Sequence, residues 1–293
     1  MDREVKSRND IHMWVRLLKV KITQIEIVLD RGFIIDDDEE TLLSYYNVNN
    51  AEHVSRLETV ISELDSGEIT EEERQIRLED EDEITPEERE FVYEFRNNYL
   101  GKFLEYVNNL NRRIGTKSKE IRFSDDPRPL LTRTYTSEDG TRMLYCYYMP
   151  IPKGGGDHKQ EHVIPFSNNL AQKQKNNPLQ MKWAILIGHR NITTKNVLSN
   201  PDVAITFFIE NEIVYNPTQS IFYSQHVKQT EEEMKETTTS AGVNKIKLPL
   251  MQKTEAISKY FSYKENEIVT IYRENRFVPT PNLFSIQYRT VAL

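Results

Sequence analysis

"KLPLMQKTEAISKYFSYKENEIVTIYREN", residues 247–275, is the stretch that decides the fold of the C-terminal part of the chain. Pro249 fixes an extended entry, Thr254 is placed to cap a short helix, and Asn266 can take a positive φ at a turn. Alternating side chains then predict a strand over 268–272, and the later segment FSIQYRTV predicts its hairpin partner. The stretch contains no Cys, His or Gly, so it predicts a structural module and not a catalytic centre.

This module sets the expected domain organisation. Residues 246–293 are near the size at which an isolated core is marginally stable, so we expect the module to dock on a larger body. The segment TTTSAGVNK at 237–245 predicts a linker. Residues 1–236 would then form an N-terminal domain, in which the change of character at about 47–133 indicates an insertion.

Two amphipathic patterns predict long helices in the N-terminal domain. Apolar residues at steps of three and four from Ile11 to Leu29 predict the first helix, which Gly32 ends. Pro86 is placed at the first position of the second helix. Its stripe consists of Phe91, Phe95, Tyr99, Phe103, Val107 and Leu110, and we interpret this stripe as a core-facing side.

Beyond Pro129 the pattern becomes that of short strands. These are MLYCYYM from Met143, WAILIG from Trp183 and VAITFFI from Val203. Because loop and helical stretches separate them, they predict an α/β domain with a mixed or partly parallel sheet, followed by the small α+β module. Thr230 and Glu233 form a capping-box pattern at the start of a further helix.

Composition excludes several classes of protein. Cys146 is the single cysteine, so an intrachain disulfide and a Cys-rich zinc cluster are excluded, and we expect a reducing, intracellular compartment. WAILIG is too short to cross a bilayer, and the charged start MDREVKSRND predicts neither a leader nor a membrane role.

The net charge of −8 is unevenly distributed. Residues 63–90 contain 14 acidic and 3 basic side chains, a net of −11, which leaves +3 on the other 265 residues. The bulk charge therefore says nothing about partners. We expect residues 63–83 to be a solvated surface whose deletion leaves the fold intact.

The C-terminal residues resemble a known family. LPLMQ, KYFSYKENEIVTIYRE and the terminal YRTV are similar to the assembly module that the fifth subunit of eukaryotic nuclear RNA polymerases shares with its archaeal counterpart. The matching positions are Leu248, Pro249, Tyr260, Val269, Ile271, Arg273, Tyr288, Arg289 and Val291. Three features of the family differ here: Leu250 stands for its Arg, Thr254-Glu255 for its Asp-Pro, and Ser262 and Asn266 for its two glycines.

The resemblance extends upstream and covers about 200 of the 293 residues. The turn DRGF at 30–33, which follows a helix containing Trp14, is similar to the opening of the eukaryotic jaw domain. WAILIGHRNITTKNVLS resembles the central strand, loop and helix of the jaw, and His226-Val227 lies in a segment similar to the one that leads to the assembly module. The enlarged jaw resembles the divergent copies encoded by large DNA viruses.

The resemblance implies a non-catalytic subunit of a DNA-directed RNA polymerase, without cofactor or metal. Its assembly module would dock on the largest subunit, near other small subunits, through Leu248, Pro249, Tyr260, Phe261, Arg273, Tyr288 and Arg289. Its jaw would lie near downstream duplex DNA, with His189, Arg190, Thr193 and Lys195 closest to the DNA. A viral copy would act in the virion and host cytoplasm, and a cellular copy in the nucleus.

Two other classes of function stay open. Jaw domains of this family resemble restriction endonucleases, in which an Asp and a Glu-x-Lys motif bind a metal. In this chain, Asp202 and Glu233-Met234-Lys235 are the matching residues. However, the Glu-x-Lys falls in a predicted helix.

His158 and His162 are spaced i, i+4, but GGG and Pro165 flank them, so we interpret them as loop residues and not as a metal site. The third class is a free-standing nucleic-acid-binding protein, for which the loop after WAILIG supplies a modest basic spot.

Overall fold

The computed structural model describes residues 8–47, 86–115, 119–152, 154, 156–178, 180–193, 200, 202–220, 223–240, 248–274 and 284–292. The acidic segment 63–83 and Lys195 lie outside these residues. The elements in chain order are α1 (Arg8–Asp30), α2 (Asp37–Asn47), α3 (Pro86–Ile114), α4 (Arg128–Leu131), β1 (Arg133–Thr136), β2 (Met143–Tyr148), α5 (Gln160–Asn176), β3 (Met181–Gly188), β4 (Ala204–Ile209), β5 (Gln225–Lys228), α6 (Glu231–Ser240), β6 (Leu250–Gln252), α7 (Ala256–Phe261), β7 (Ile268–Glu274) and β8 (Phe284–Ala292). The chain is therefore mixed α/β, and its described strands form two mixed sheets.

The chain divides into two compact units. The first consists of Met1–Leu18 and Ile35–Leu130, and the second of Lys19–Ile34 and Leu131–Leu293. The predicted boundaries at 236 and 246 stay predictions. Within the described residues, no helix combines the length and the hydropathy of a membrane span.

The first unit is helical, and aromatic side chains form its centre. The fully buried Trp14 ring meets Phe103 and Phe123 edge-on, at centroid distances of 5.6 and 5.2 Å. Its indole Nε1 donates to the Phe123 carbonyl at 2.8 Å. Four members of the predicted stripe of α3, Tyr99, Phe103, Val107 and Leu110, are buried in this core. The side chains of the other two, Phe91 and Phe95, lie outside the described part of the chain.

The first sheet belongs to the second unit and has the strand order β1-β2-β3-β4. β1 runs antiparallel to β2, whereas β2, β3 and β4 are parallel. Consecutive residues of β3, Ala184 to Ile187, are all buried, so its near-continuous apolar sequence belongs to a strand covered on both faces. The three strands predicted from Met143, Trp183 and Val203 are confirmed.

Helix α5 covers part of this sheet, and its Val163, Phe166 and Leu170 are buried. The Phe166 ring stacks on Tyr145 of β2 at a centroid distance of 6.0 Å. Burial raises the pKa of Tyr145 to about 12. His162 lies in the first turn of α5, where its Nδ1 accepts from the backbone N–H of Lys159, so the expectation of a loop at this residue is wrong. Pro165 lies inside the helix, where it has no backbone N–H to donate to the preceding turn.

The second sheet has the order β5-β7-β8-β6. β7 and β8 form the predicted antiparallel hairpin, with Ile268 opposite Thr290 and Glu274 opposite Phe284. β5 pairs antiparallel with β7, and β6 pairs parallel with β8. One strand of this sheet, β5, therefore precedes the predicted boundary at residue 246.

The predicted capping box at α6 is confirmed, because Thr230 N donates to Glu233 Oε2 at 2.7 Å and Glu233 N donates to Thr230 Oγ1 at 3.3 Å. The helix continues to Ser240, which is four residues into the predicted linker. Threonine hydroxyls help to hold this last turn, since Thr239 Oγ1 donates to the Lys235 carbonyl at 2.7 Å.

Candidate functional site

The second sheet and helix α7 enclose a small core. Its buried side chains are Met251, Tyr263, Val269, Ile271 and Val291, against which Ile257 and Phe261 pack. Residues directly opposite each other in a sheet share a face, so Val269, Ile271 and their partners lie on the face that α7 covers. Val269 and Ile271, two of the positions that carry the family resemblance, therefore belong to the core that holds α7 on the hairpin.

Both residues that stand for the family's glycines have left-handed backbones. Ser262 ends α7 with φ 55° and ψ 43°, and Asn266 has φ 66°. Side chains other than glycine rarely take this conformation, so both positions have the backbone geometry that glycine favours. Asn266 N donates to the Val291 carbonyl at 2.9 Å, which ties the turn to β8. The expected positive φ at Asn266 is confirmed.

The N-cap of α7 is Glu255, so the expectation that Thr254 caps the helix is wrong. Thr254 lies one residue before the cap, and its hydroxyl donates to Gln252 Oε1 at 3.3 Å. The Glu255 carboxylate instead accepts from the backbone N–H of Gln252 at 2.9 Å. The helix therefore begins one residue later than the sequence predicts.

The predicted assembly residues have different environments. Pro249 and Arg273 are exposed, and Leu248, Phe261, Tyr288 and Arg289 are partly exposed. Tyr260 is 0% exposed, so it has an internal role in this chain.

Tyr260 connects α7 to the end of α1. Its hydroxyl donates to Asp30 Oδ2 at 2.6 Å and accepts from Asn216 Nδ2 at 3.1 Å. Burial, followed by the hydrogen bond and charge of Asp30, raises the pKa of Tyr260 well above its ordinary value. The hydroxyl therefore stays protonated and acts as a structural donor at neutral pH.

Arg31 caps the C-terminal end of α7. Its Nε donates to the Tyr260 carbonyl at 2.8 Å, and its Nη2 donates to the Lys259 carbonyl at 2.7 Å. These carbonyls are among the acceptors that a helix end leaves unpaired, and a cation is favourable there. Burial lowers the pKa of Arg31 to about 10, so the guanidinium is still charged at neutral pH. Gly32, with φ 78°, then turns the chain away.

The sequence did not predict that Asp30 and Arg31 bind helix α7. The motif DRGF singled them out as a turn, but their partners lie about 230 positions away in the sequence. Arginine placed just after a helix end was the available signal.

A basic patch lies on the α7 side of the hairpin. Register places His226 opposite Ile271 and Arg289 opposite Val269, and Arg273 follows Ile271 by two residues on the same face. Burial lowers the pKa of His226, and the neighbouring Arg273 and Arg289 guanidiniums lower it further. Within the part of the chain that the structure describes, neither arginine forms an ion pair.

Tyrosine hydroxyls shield the outer edge of β5. Tyr223 Oη accepts from the backbone N–H of His226 at 3.4 Å, and Tyr263 Oη donates to the His226 carbonyl at 3.3 Å. Edge strands with free backbone groups invite pairing with another chain. At β6, in contrast, the edge residue Leu250 is 61% exposed.

The predicted DNA-proximal loop follows β3. His189 Nδ1 lies 3.3 Å from Oε2 of the buried Glu210, whereas Arg190 and Thr193 are exposed. The backbone N–H of Thr193 donates to the carbonyl of the buried His158 at 3.0 Å. A Cβ at Gly188 would lie 3.1 Å from His158 ring atoms, so glycine allows this close packing. The structure thus brings His189, Arg190 and Thr193 into one anchored turn.

The candidate nuclease residues, Asp202 and Glu233-Met234-Lys235, do not lie on adjacent strands. Glu233 and Lys235 lie on α6, and Glu233 caps that helix, whereas Asp202 precedes β4. Among the described residues, no group of three or more His, Cys, Asp or Glu side chains is placed to hold a metal ion.

Comparison with known proteins matches residues 215–291 to the family model of RNA polymerase Rpb5, C-terminal domain. This range takes in β5 through most of β8. The protein described as DNA-directed RNA polymerases I, II, and III subunit rpabc1, from Dictyostelium discoideum, is 24% identical over 142 residues, which are 46% of this chain and 67% of that protein. The resemblance seen in the C-terminal residues is confirmed.

Proposed function

We propose that this Rpb5-like chain, whose residues 215–291 match the Rpb5 C-terminal domain, is a non-catalytic subunit of a multisubunit DNA-directed RNA polymerase. The match over the second sheet is the observation that carries the proposal, because it covers a complete structural element and not an isolated motif. The name of the Dictyostelium relative, an RNA polymerase subunit, supports it. Such a subunit acts in transcription inside the cell.

The surface that docks on the largest subunit and its small neighbours is formed by Leu248, Pro249, Phe261, Arg273, Tyr288 and Arg289. The exposed Leu250 is added to this set, and the buried Tyr260 is removed from it. Arginine, tyrosine and exposed apolar side chains are the residue types that interfaces favour. Two guanidiniums without an ion pair in the described part of the chain suit a partner surface that carries carboxylates.

The N-terminal region to about residue 236 is proposed as a jaw domain, restriction-endonuclease-like in fold, near downstream DNA. His189, Arg190, Thr193 and Lys195 would meet phosphates there. The exposure of Arg190 and Thr193 supports this placement. A viral source stays a prediction from the enlarged jaw.

Co-purification tests the proposal directly. The tagged full-length chain, expressed in its own cellular or viral setting, should emerge with a multisubunit polymerase in a constant ratio. The double variant Arg273→Glu, Arg289→Glu should be folded by circular dichroism and at least about tenfold depleted from the polymerase, because two contacts would become repulsive. The exposed Arg112→Glu is the matched control and should assemble normally.

Recovery of the unmodified chain without a polymerase would defeat the proposal. Sequence-independent DNA binding by that free chain would favour a solitary nucleic-acid-binding protein. Cleavage of duplex DNA with Mg²⁺, lost in Asp202→Ala, would favour a nuclease.

A further inference from the structure

A cavity of about 200 Å³ lies within the second unit, where the end of α1, the first sheet and the second sheet come close. It is lined by Asp30, Arg31, Phe33, Arg142, Trp183, Lys228, Phe261, Ser262, Tyr263, Lys264 and Glu267. Four of these side chains are cationic and two are anionic. The cavity is therefore positively charged in a chain whose net charge is −8.

The two carboxylates of the cavity already have partners. Glu267 Oε1 lies 2.6 Å from Lys228 Nζ, and Glu267 Oε2 accepts from the backbone N–H of Lys264 at 2.7 Å. Asp30 accepts from the Tyr260 hydroxyl. Neither carboxylate forms an ion pair with Arg31, Arg142 or Lys264 in the described part of the chain.

Arg31 has donor capacity left over. Its Nε and Nη2 donate to backbone carbonyls, but its buried Nη1 has no hydrogen-bond partner among the described residues. A buried donor without an acceptor is costly, and more so when the group is charged. The two carbonyls supply acceptors without supplying a compensating negative charge.

Arg142 provides a second cation on the cavity wall. Its guanidinium lies over the Phe33 ring at 5.4 Å and over the Trp183 ring at 5.9 Å. Its one hydrogen bond among those the structure describes is a long contact of 3.4 Å from Nη2 to the Gly32 carbonyl. The planar fork of arginine matches two oxygens of one oxyanion, and aromatic rings beneath it hold it in place.

We propose that this cavity binds a small oxyanion, a phosphate or a carboxylate, through Arg31, Arg142 and Lys264. The volume suits a small anion or one acidic side chain and excludes a nucleotide. The positive charge excludes a metal cation. The cavity shares Phe261 with the proposed docking surface, but the binding proposal rests on Arg31, Arg142 and Lys264 and does not depend on the proposed function.

Trp183 lines the cavity and reports on its occupancy. The chain has two tryptophans, so Trp14→Phe leaves Trp183 as the single reporter. We would titrate this variant with inorganic phosphate and with acetate at constant ionic strength, using chloride as the comparison. We expect a saturable change in fluorescence with phosphate, acetate or both, and only a linear drift with chloride.

Two variants assign the binding to the named residues. Arg142→Gln and Lys264→Gln should each weaken binding by about tenfold, because each removes one charge-assisted contact. Lys235→Gln removes an exposed lysine on α6 and should leave the dissociation constant unchanged. Because Trp14 is buried, the thermal midpoint of the unmodified chain provides a second readout, and it should rise with the same anions.

Binding of phosphate alone would assign the site to a phosphoryl group, binding of acetate alone would assign it to a carboxylate, and binding of both would assign it to oxyanions of either kind. Each of these results supports the proposal. Responses to phosphate and acetate that equal the response to chloride, or equal affinities in Arg142→Gln and the unmodified chain, would overturn it.

Discussion

Arg31 shows how one residue joins distant parts of the second unit. It follows α1 directly in sequence, yet its guanidinium satisfies the last carbonyls of α7. Such an arginine contributes two charge-assisted hydrogen bonds and a favourable interaction with the helix dipole. Within the DRGF motif, Arg31 therefore has a structural role.

Replacing Arg31 should destabilise the second unit. Arg31→Ala leaves two carbonyls at the end of α7 without donors, so we expect the free energy of unfolding to fall by about 2–4 kcal/mol. Urea denaturation followed by circular dichroism measures this change. Arg112→Ala, at an exposed position of α3, should change it by less than about 0.5 kcal/mol. Equal effects of the two variants would show that the cap contributes nothing.

Tyr260 gives the chain a dependence on alkaline pH. Its pKa is raised in the folded state above the ordinary value of 10.0, chiefly by burial. The unfolded chain therefore loses this proton first. The associated stability is fully present below about pH 10 and is lost as the pH rises further.

Tyr260→Phe should cost about 1 kcal/mol at pH 7, because the hydrogen bond to Asp30 is lost. It should also make the fall in stability above pH 10 shallower. Urea midpoints between pH 7 and 11 measure both effects, with Tyr215→Phe at an exposed position as the control. Parallel pH profiles for Tyr260→Phe and the unmodified chain would contradict this account.

At the scale of elements, the turn between α7 and β7 positions the hairpin. Ser262 and Asn266 both have positive φ, and the backbone of Asn266 bonds to β8. Asparagine tolerates this conformation better than most residues because its short side chain can bond locally. Backbone geometry thus determines the turn, and the residues at its two ends need only be able to adopt a positive φ.

Asn266→Ala should lower the free energy of unfolding by about 1 kcal/mol. In the left-handed region the Cβ of alanine makes unfavourable backbone contacts, and alanine cannot form the local side-chain hydrogen bond that offsets them for asparagine. Asn266→Gly should be neutral or stabilise by up to about 0.5 kcal/mol. Thermal or urea unfolding of the pair isolates the backbone effect, because the side chain is exposed. Equal losses in both variants would show that the amide itself stabilises the turn.

At the scale of the whole molecule, the negative charge is concentrated in one segment of the sequence. The acidic residues 63–90 account for more than the entire net charge of −8, so the rest of the chain is slightly basic. A basic loop can therefore meet DNA in an acidic protein, over a distance limited by screening.

The loop after β3 should contribute to salt-dependent DNA binding by the assembled polymerase. Each lost phosphate contact lowers the slope of log affinity against log salt by about 0.9, so Arg190→Ala, Lys195→Ala should flatten it by up to roughly two. Elongation-complex stability at several salt concentrations measures the slope. Loss should be uniform across DNA sequences, because phosphate contacts carry no base information. Identical slopes would leave this loop as ordinary solvated surface.

Local pattern determined much of this protein. The extents of α1 and α3, the strands of the first sheet, the β7–β8 hairpin and the capping box of α6 follow from periodicity, turn residues and caps, because these depend on neighbours within a few positions. The C-terminal motif also determined the family resemblance that the comparison confirmed.

Only the tertiary structure decided how these elements meet. The pairing of β6 with β8, the membership of β5 in the second sheet and the burial of Tyr260 depend on contacts between segments distant in sequence. Arg31 and the carbonyls it caps are separated by 228 and 229 positions. The charged cavity beside them gathers residues from α1, both sheets and a turn. Side-chain periodicity specifies which face is buried but not what covers it, and long-range packing supplies the rest.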